Sequence, residues 1–309
     1  MQEDNSHMIS VLYESGYLRL SDNISIIQPS LSNQNLLFKV ENNSALQFVK
    51  VYPASSKSEY ESEHRFLQVF RNGGISVPAI VNFGTLNVHG EDNYILVTDN
   101  LAGAPLEEVL PLLSDADIRK VANSLLDVFK RQMAIHTEKA LPNTLTSAFD
   151  KTEAKFEKLG LVDTVNKLIE KCRLQSETIE DCTDYYYVTH DWRMRHIFIA
   201  NGIFSGLLDL EYVRPNDFAV EIGHFLHDLR LNEIPNSKTL ALEIITGLTM
   251  LYAPCDSDYD RRVKLYMTKQ ALAHIAGKLA KGEPLASFDK ELKLARSYCK
   301  SYDLIGIFQ

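Results

Sequence analysis

The feature that most constrains this chain is a stretch past its middle, Thr189-His190-Asp191-Trp192-Arg193-Met194-Arg195-His196-Ile197-Phe198-Ile199. An apolar, aromatic strand (Tyr185 to Val188) delivers an aspartate into a polar loop, and the chain returns at once to a second apolar strand, Ile197 to Ala200. Past the turn-forming pair Asn201-Gly202, a third strand, Gly206-Leu207-Leu208-Asp209, ends on another aspartate. Two acids at the mouths of neighbouring short strands suit a division of labour, one accepting a hydroxyl proton and the other holding a metal. Both are also residue types that turns favour.

The patterning around this insert sets the fold class. The first hundred residues read as strand-rich. Leu36 to Val40 and Leu46 to Val51 flank the turn formers Glu41-Asn42-Asn43-Ser44 and predict a hairpin. A helix is expected from Ser56 to Arg71, with Tyr60, Phe66, Leu67 and Phe70 near helical spacing, ended by Asn72-Gly73-Gly74. Pro78 to Val81 and Tyr94 to Val97 predict two further strands. Helical periodicity then covers Ile118 to Met133 and Ala154 to Cys172, and the chain after Glu221 reads as helical almost to its end. Strands first and helices after predict α+β: residues 1–100 as an N-terminal antiparallel sheet lobe, 101–309 as a larger, mainly helical lobe, with Gly103-Ala104-Pro105 as the hinge candidate.

Composition excludes several classes. At 309 residues, 45% hydrophobic and 24% charged, the chain is an ordinary globular protein with room for more than one core. No apolar run reaches the roughly 20 residues of a membrane-spanning helix. The polar start, with Glu3 and Asp4, lacks the features of a secretory signal, so a cytoplasmic protein is expected. A net charge of −9 argues against a nucleic-acid partner and suits a cationic small molecule, although it also serves solubility alone. Cys172, Cys182, Cys255 and Cys299 form no C-x-x-C pair and read as reduced thiols. His224-x-x-His227-Asp228 puts two imidazoles three apart on one helix. That spacing admits a zinc site and hence a metallohydrolase, or two hydrogen-bonded structural histidines.

Taken together, the motifs resemble those of the aminoglycoside phosphotransferase and choline kinase family, which has a two-lobed protein-kinase-like fold. The family's catalytic loop reads H-G-D-x-x-x-x-N and its metal segment I-D-W-E, followed by G-D-P-x-x-D-L-A. Asp191 stands at the catalytic aspartate, Asp209 and Glu211 at D-x-E, Asn216-Asp217-Phe218 at G-D-P, and Glu221-Ile222-Gly223 at D-L-A. In the N-terminal half, Lys50 resembles the phosphate-holding lysine and Glu63 its ion-pair partner. Gly74-Ile75-Ser76-Val77-Pro78 is similar to the family's G-x-x-V-P, and Tyr94 to Asp99 resembles the strand leading to the base-binding linker. His136 fits the family's L-H. The resemblance covers roughly residues 25 to 230.

The resemblance implies a phosphotransferase moving the γ-phosphate of ATP or GTP, with Mg2+, to a hydroxyl of a small molecule such as an aminoglycoside, amino-alcohol or sugar. It implies nucleotide contacts from Lys50, Glu63, Thr98, Asp99 and Leu101, and from Ser32 and Asn35 in the loop expected to cover the phosphates. It implies Asp191 as base, Arg193 as a phosphoryl-stabilising cation, and Asp209 and His196 as metal ligands. The departures are Thr189 and His190 for the His and Gly of the loop, His196 for its asparagine, and a phosphate loop without glycine. A histidine at 196 is also reminiscent of lipopolysaccharide core sugar kinases. These departures motivate the alternative of a degenerate, nucleotide-binding pseudokinase with a regulatory role. Oligomeric state and acceptor identity are not legible.

Overall fold

The computed structural model describes residues 2–19, 23–27, 35–42, 45–88, 90–135, 137, 145–179, 184–252, 256–301 and 303–309. Two compact units result: Met1–Ala102 with Ser205–Val213, and Gly103–Phe204 with Arg214–Gln309. The short return at 205–213, which brings Asp209 and Glu211 into the first unit, is a tertiary fact that no linear division of the chain anticipates.

The first unit opens with a helix, α1 (Gln2–Glu14), within the hundred residues that read as strand-rich. Its reason is tertiary: Met8 and Leu12, one turn apart, are buried with Leu18 against Phe38, Val40, Val49, Val51, Ile95 and Val97. The sheet holds β1 (Asn23–Ile27), β2 (Leu36–Asn42), β3 (Ala45–Tyr52), β4 (Ile80–Val88) and β5 (Glu91–Asp99), in the order β1-β2-β3-β5-β4 with antiparallel neighbours. The expected hairpin is β2–β3, and Lys50 sits on its inner strand, opposite Leu37 on one side and Leu96 on the other. Helix α2 (Lys57–Asn72) buries Glu63, Phe66, Leu67 and Phe70. It stops at Gly74, whose φ of 75° lets the Ile75 N–H reach back to the Phe70 carbonyl at 2.9 Å.

In the second unit, β6 (Ala104–Pro105) pairs antiparallel with β8 (Ile197–Ala200), and β7 (Tyr186–Val188) pairs with β10 (Arg214–Asn216). Gly103, the hinge candidate, is the last link before β6. Its φ is 88°, and a Cβ there would lie 2.1 Å from the Ile199 carbonyl oxygen, so only glycine fits. Strand β9 (Ile203–Leu207) leads the chain into the 205–213 return.

The helices are α3 (Leu106–Val109), α4 (Asp115–Met133), α5 (Leu145–Lys158), α6 (Val162–Ser176), α7 (Ala219–Asn232), α8 (Ser237–Tyr252), α9 (Tyr259–Leu279), α10 (Asp289–Tyr298) and α11 (Ile305–Phe308). The single helix expected from Ala154 to Cys172 is in fact two. Gly160, at φ 67°, takes a left-handed turn between them, and the Leu161 N–H closes on the Phe156 carbonyl. At the centre of this unit, Phe129, Trp192, Phe218 and Phe225 pack in tilted and edge-to-face contacts, all buried. The chain's one tryptophan thus anchors the residue next to Asp191.

Candidate active site

In the first unit, Lys50 projects from the middle of the sheet and bridges two carboxylates, Glu63 at 2.8 Å and Glu211 at 2.5 Å. The pair expected from sequence, Lys50 with Glu63, is formed. Glu63 also accepts from the Tyr52 hydroxyl, and Glu211 from the Asn35 amide at 2.8 Å. Burial works against the Lys50 charge, but Glu63, Glu211 and Asp209 more than offset it and raise the ammonium's pKa. Burial pushes the Glu211 carboxyl up, and Lys50 partly restores it. Tyr52, buried beside these carboxylates, is raised well above its usual value.

Glu63, Asp209 and Glu211 each bring a carboxylate oxygen within 4.8 Å of the others. Three hard oxygen donors at that spacing fit Mg2+. Asp209 itself takes a left-handed backbone, φ 64°, on the 205–213 return, and Ser62 ties Leu210 to α2 through its hydroxyl.

The remaining nucleotide candidates divide. Asn35 is described, and its amide is committed to Glu211, so it anchors that carboxylate. Asp99 accepts from the Ala79 N–H at 2.5 Å, which ties the end of β5 to the start of β4; Thr98 lies beside it on β5 and Leu101 is buried. Ser32 and His136 lie outside the described residues.

In the second unit, Asp191 sits on the loop between β7 and β8 with the two side chains expected near it. Arg193 Nε is 2.5 Å from Asp191 Oδ1, and His196 Nδ1 is 3.2 Å from Oδ2. His196 Nδ1 faces the Asp191 carboxylate and backbone carbonyl, and its Nε2 accepts from Arg195 Nε at 2.9 Å, so the ring helps to hold the loop.

Helix α7 holds the loop from one side. Glu221 accepts from the Thr189 and His190 N–H groups at 2.8 and 3.0 Å and from Gln132 on α4 at 2.7 Å. His224 donates from Nδ1 to the His190 carbonyl at 2.8 Å, and Asp228 accepts from the Met194 N–H at 2.9 Å. Burial pushes the Glu221 carboxyl up to about 7 against the pull of its N–H donors. The zinc reading of His224 and His227 falls here: His224 is a loop clamp, His227 faces the Tyr298 hydroxyl at 3.2 Å, and neither belongs to any metal-competent group among the described residues. Asp217 fixes the start of α7 through the Ala219 N–H and is buried against Arg262 at 2.7 Å.

His190 has φ 61°, a backbone that disfavours side chains. The glycine of the family's H-G-D has its physical explanation in that angle. Here a histidine accepts the strain, and its ring is fixed by Arg214, whose Nε donates to Nε2 at 2.9 Å. No sequence signal pointed to Arg214, because the contact depends on β10 pairing with β7.

With this geometry in view, the comparisons are decisive on kinship. The family model of the phosphotransferase enzyme family matches residues 23–261. The chain belongs to that family. It is a small-molecule kinase by that membership and has the protein-kinase-like fold. Similar solved structures include a thermostable mutant of aminoglycoside phosphotransferase APH(4)-Ia in ternary complex with AMP-PNP and hygromycin B: 14% identity, 98% of each chain covered, TM-score 0.68. The GDP complex of aminoglycoside 2'-phosphotransferase-IIIa is similar at 12% identity, with 96% of this chain and 98% of that one covered and a TM-score of 0.70. Aminoglycoside-3'-phosphotransferase of type VIII is similar at 16% identity, covering 84% and 97%, with a TM-score of 0.59. No curated protein matches the chain in sequence. No helix among the described residues is long and apolar enough to cross a membrane.

Proposed function

We propose that this phosphotransferase moves the γ-phosphate of ATP or GTP to a hydroxyl group of a small molecule. The observation that carries the reading is Lys50 held between two buried carboxylates, an arrangement that keeps an ammonium charged and aimed where triphosphate oxygens bind. Lys50 grips the phosphates and Glu63 orients it. Asp209 with Glu211 would hold Mg2+, which when bound neutralises charge on the phosphate oxygens. Asp191 orients the acceptor hydroxyl and takes its proton, while Arg193 offers charge to the transferred group. Catalysis of this kind is mostly positioning and charge neutralisation, and the α7 clamp fixes the loop that carries Asp191.

Fold relatives captured with AMP-PNP, ADP and GDP support nucleotide use in general and leave ATP and GTP equal. The degenerate pseudokinase reading has no support in the family match, and the Lys50–Glu63 pair and Asp191 are both present. The test is thermal-shift titration of ATP and GTP, with and without Mg2+, into wild type, Asp209→Ala and Asp191→Asn. Mg2+-dependent stabilisation lost in Asp209→Ala and kept in Asp191→Asn is expected. Asp191→Asn should lower turnover by at least about a hundredfold. Absence of nucleotide binding by folded wild type would refute the reading.

A further inference from the structure

Two thiols far apart in the chain meet in the interior of the second unit. Cys172 on α6 and Cys299, the residue that follows α10, are 127 residues apart, and their sulfurs lie 2.8 Å from each other. Cys172 is fully buried and Cys299 is 6% exposed; both are free thiols. Their surroundings hold them in place. Gln175, one turn beyond Cys172 on α6, donates from Nε2 to the Cys299 carbonyl at 3.3 Å, so α6 grips the end of α10 beside the pair. Lys264 on α9 donates to the Ser301 carbonyl at 3.0 Å, and the Thr268 hydroxyl lies 3.6 Å from the Cys299 sulfur. A disulfide bond is about 2.05 Å long, so joining these sulfurs takes a movement of less than about 1 Å.

The two sulfurs are not equivalent. Cys299 lines a cavity of about 60 Å³ with Gln175, Ile179, Arg261, Lys264 and Tyr298, and Cys172 lies behind it. That volume is several times the roughly 10–15 Å³ that one water needs, so a small polar oxidant has room beside Cys299. The hydrogen bond from the Cys172 thiol holds the Cys299 thiol below its ordinary value against burial, and Thr268, Lys171 and Lys264 add to that pull. The same contact, with burial, pushes the Cys172 thiol up. The thiolate is the reactive form, so Cys299 is the nucleophile and Cys172 the resolving partner.

We propose that Cys172 and Cys299 are a redox-active pair that hydrogen peroxide converts to a disulfide staple within the second unit. The Cys299 thiolate attacks one peroxide oxygen, the O–O bond breaks, and the departing hydroxide takes up the proton that the thiol released, leaving as water. The Cys172 sulfur then attacks the Cys299 sulfenic acid. The S–S bond forms, the S–O bond breaks, and hydroxide leaves with the Cys172 proton as a second water. The thiols are oxidised by two electrons between them, and peroxide is reduced by the same two. The closed loop holds Asp191, Arg193 and all of α7, so the staple restricts the unfolded chain over the segment that builds the Asp191 loop. A dithiol reverses it. No C-x-x-C motif announces the pair, because its members meet only in the fold. Cys182 and Cys255 lie outside the described residues. The staple does not depend on the phosphotransfer reading.

The test is oxidation of the whole protein with hydrogen peroxide, followed by blocking of free thiols in denaturant and peptide mass mapping without reductant, alongside thermal unfolding. A Cys172–Cys299 linked peptide is expected, lighter than its separate halves by the hydrogens lost and split by dithiothreitol. Oxidation should raise Tm by at least about 4 °C, and dithiothreitol should return it. Cys172→Ser and Cys299→Ala, which keep Cys182 and Cys255, should show neither the peptide nor the rise. Should either variant fail to fold, the mapping of wild type decides alone. The proposal is overturned if peroxide leaves both thiols open to blocking, if either pairs with Cys182 or Cys255, or if Cys299 runs on to the sulfinic acid without linking. A linked protein that melts no higher than the reduced one also overturns it.

Discussion

Replacing Lys50 by methionine keeps the length of the side chain and removes the charge between Glu63 and Glu211. The two carboxylates are 8% and 5% exposed, and a third, Asp209, lies within reach of both. Removing one member of a buried ion pair typically costs about 3–5 kcal/mol, because the partner is left uncompensated. Here the loss has a ceiling. A stranded glutamate can take up a proton instead, and from an ordinary value of 4.5 that costs about 3.4 kcal/mol at pH 7 and only about 0.7 kcal/mol at pH 5. The variant's folded carboxylate has a raised pKa, so its relative stability is present below 4.5 and falls as pH rises above that value.

Lys50→Met is therefore expected to lose about 3 kcal/mol at pH 7 and under about 1 kcal/mol at pH 5. Adding Glu211→Gln should recover most of the pH 7 loss. Urea unfolding of the three proteins at pH 5, 6, 7 and 8 measures this. An equal loss at pH 5 and pH 8 would refute the reasoning, since packing rather than charge would then be responsible. So would a double variant no more stable than Lys50→Met.

Two further outcomes follow from the second unit. Glu221, at about 7 when folded against 4.5 ordinarily, holds a proton between those pH values that the unfolded chain has released. Wild-type stability should fall by about 3 kcal/mol as pH rises across that window, and Glu221→Gln should flatten the slope in urea melts. Gly103→Ala would push a Cβ into the Ile199 carbonyl at a φ of 88°. A loss of about 2–4 kcal/mol is expected by thermal unfolding, and a neutral result would mean that the contact relaxes freely.

The residues that bear the chemistry and the order of the main elements are legible in the amino-acid pattern. Lys50 in a strand, Glu63 on the next helix, and Asp191 on a loop between apolar strands are local facts, legible because strand and helix periods differ and because turn formers punctuate them. The same logic failed where tertiary contact overrode composition. Helix α1 exists because Met8 and Leu12 find an apolar sheet, and the α5–α6 break depends on one left-handed glycine in an otherwise helical pattern. The pairings depend on the folded chain. Glu211 meets Lys50 across some 160 residues of chain, and α7 commits His224 to clamping the Asp191 loop. Arg214 reaches His190 from a separate strand. Charge interactions fall off with distance in space and are blind to distance along the chain, so no local pattern reveals which charges will meet.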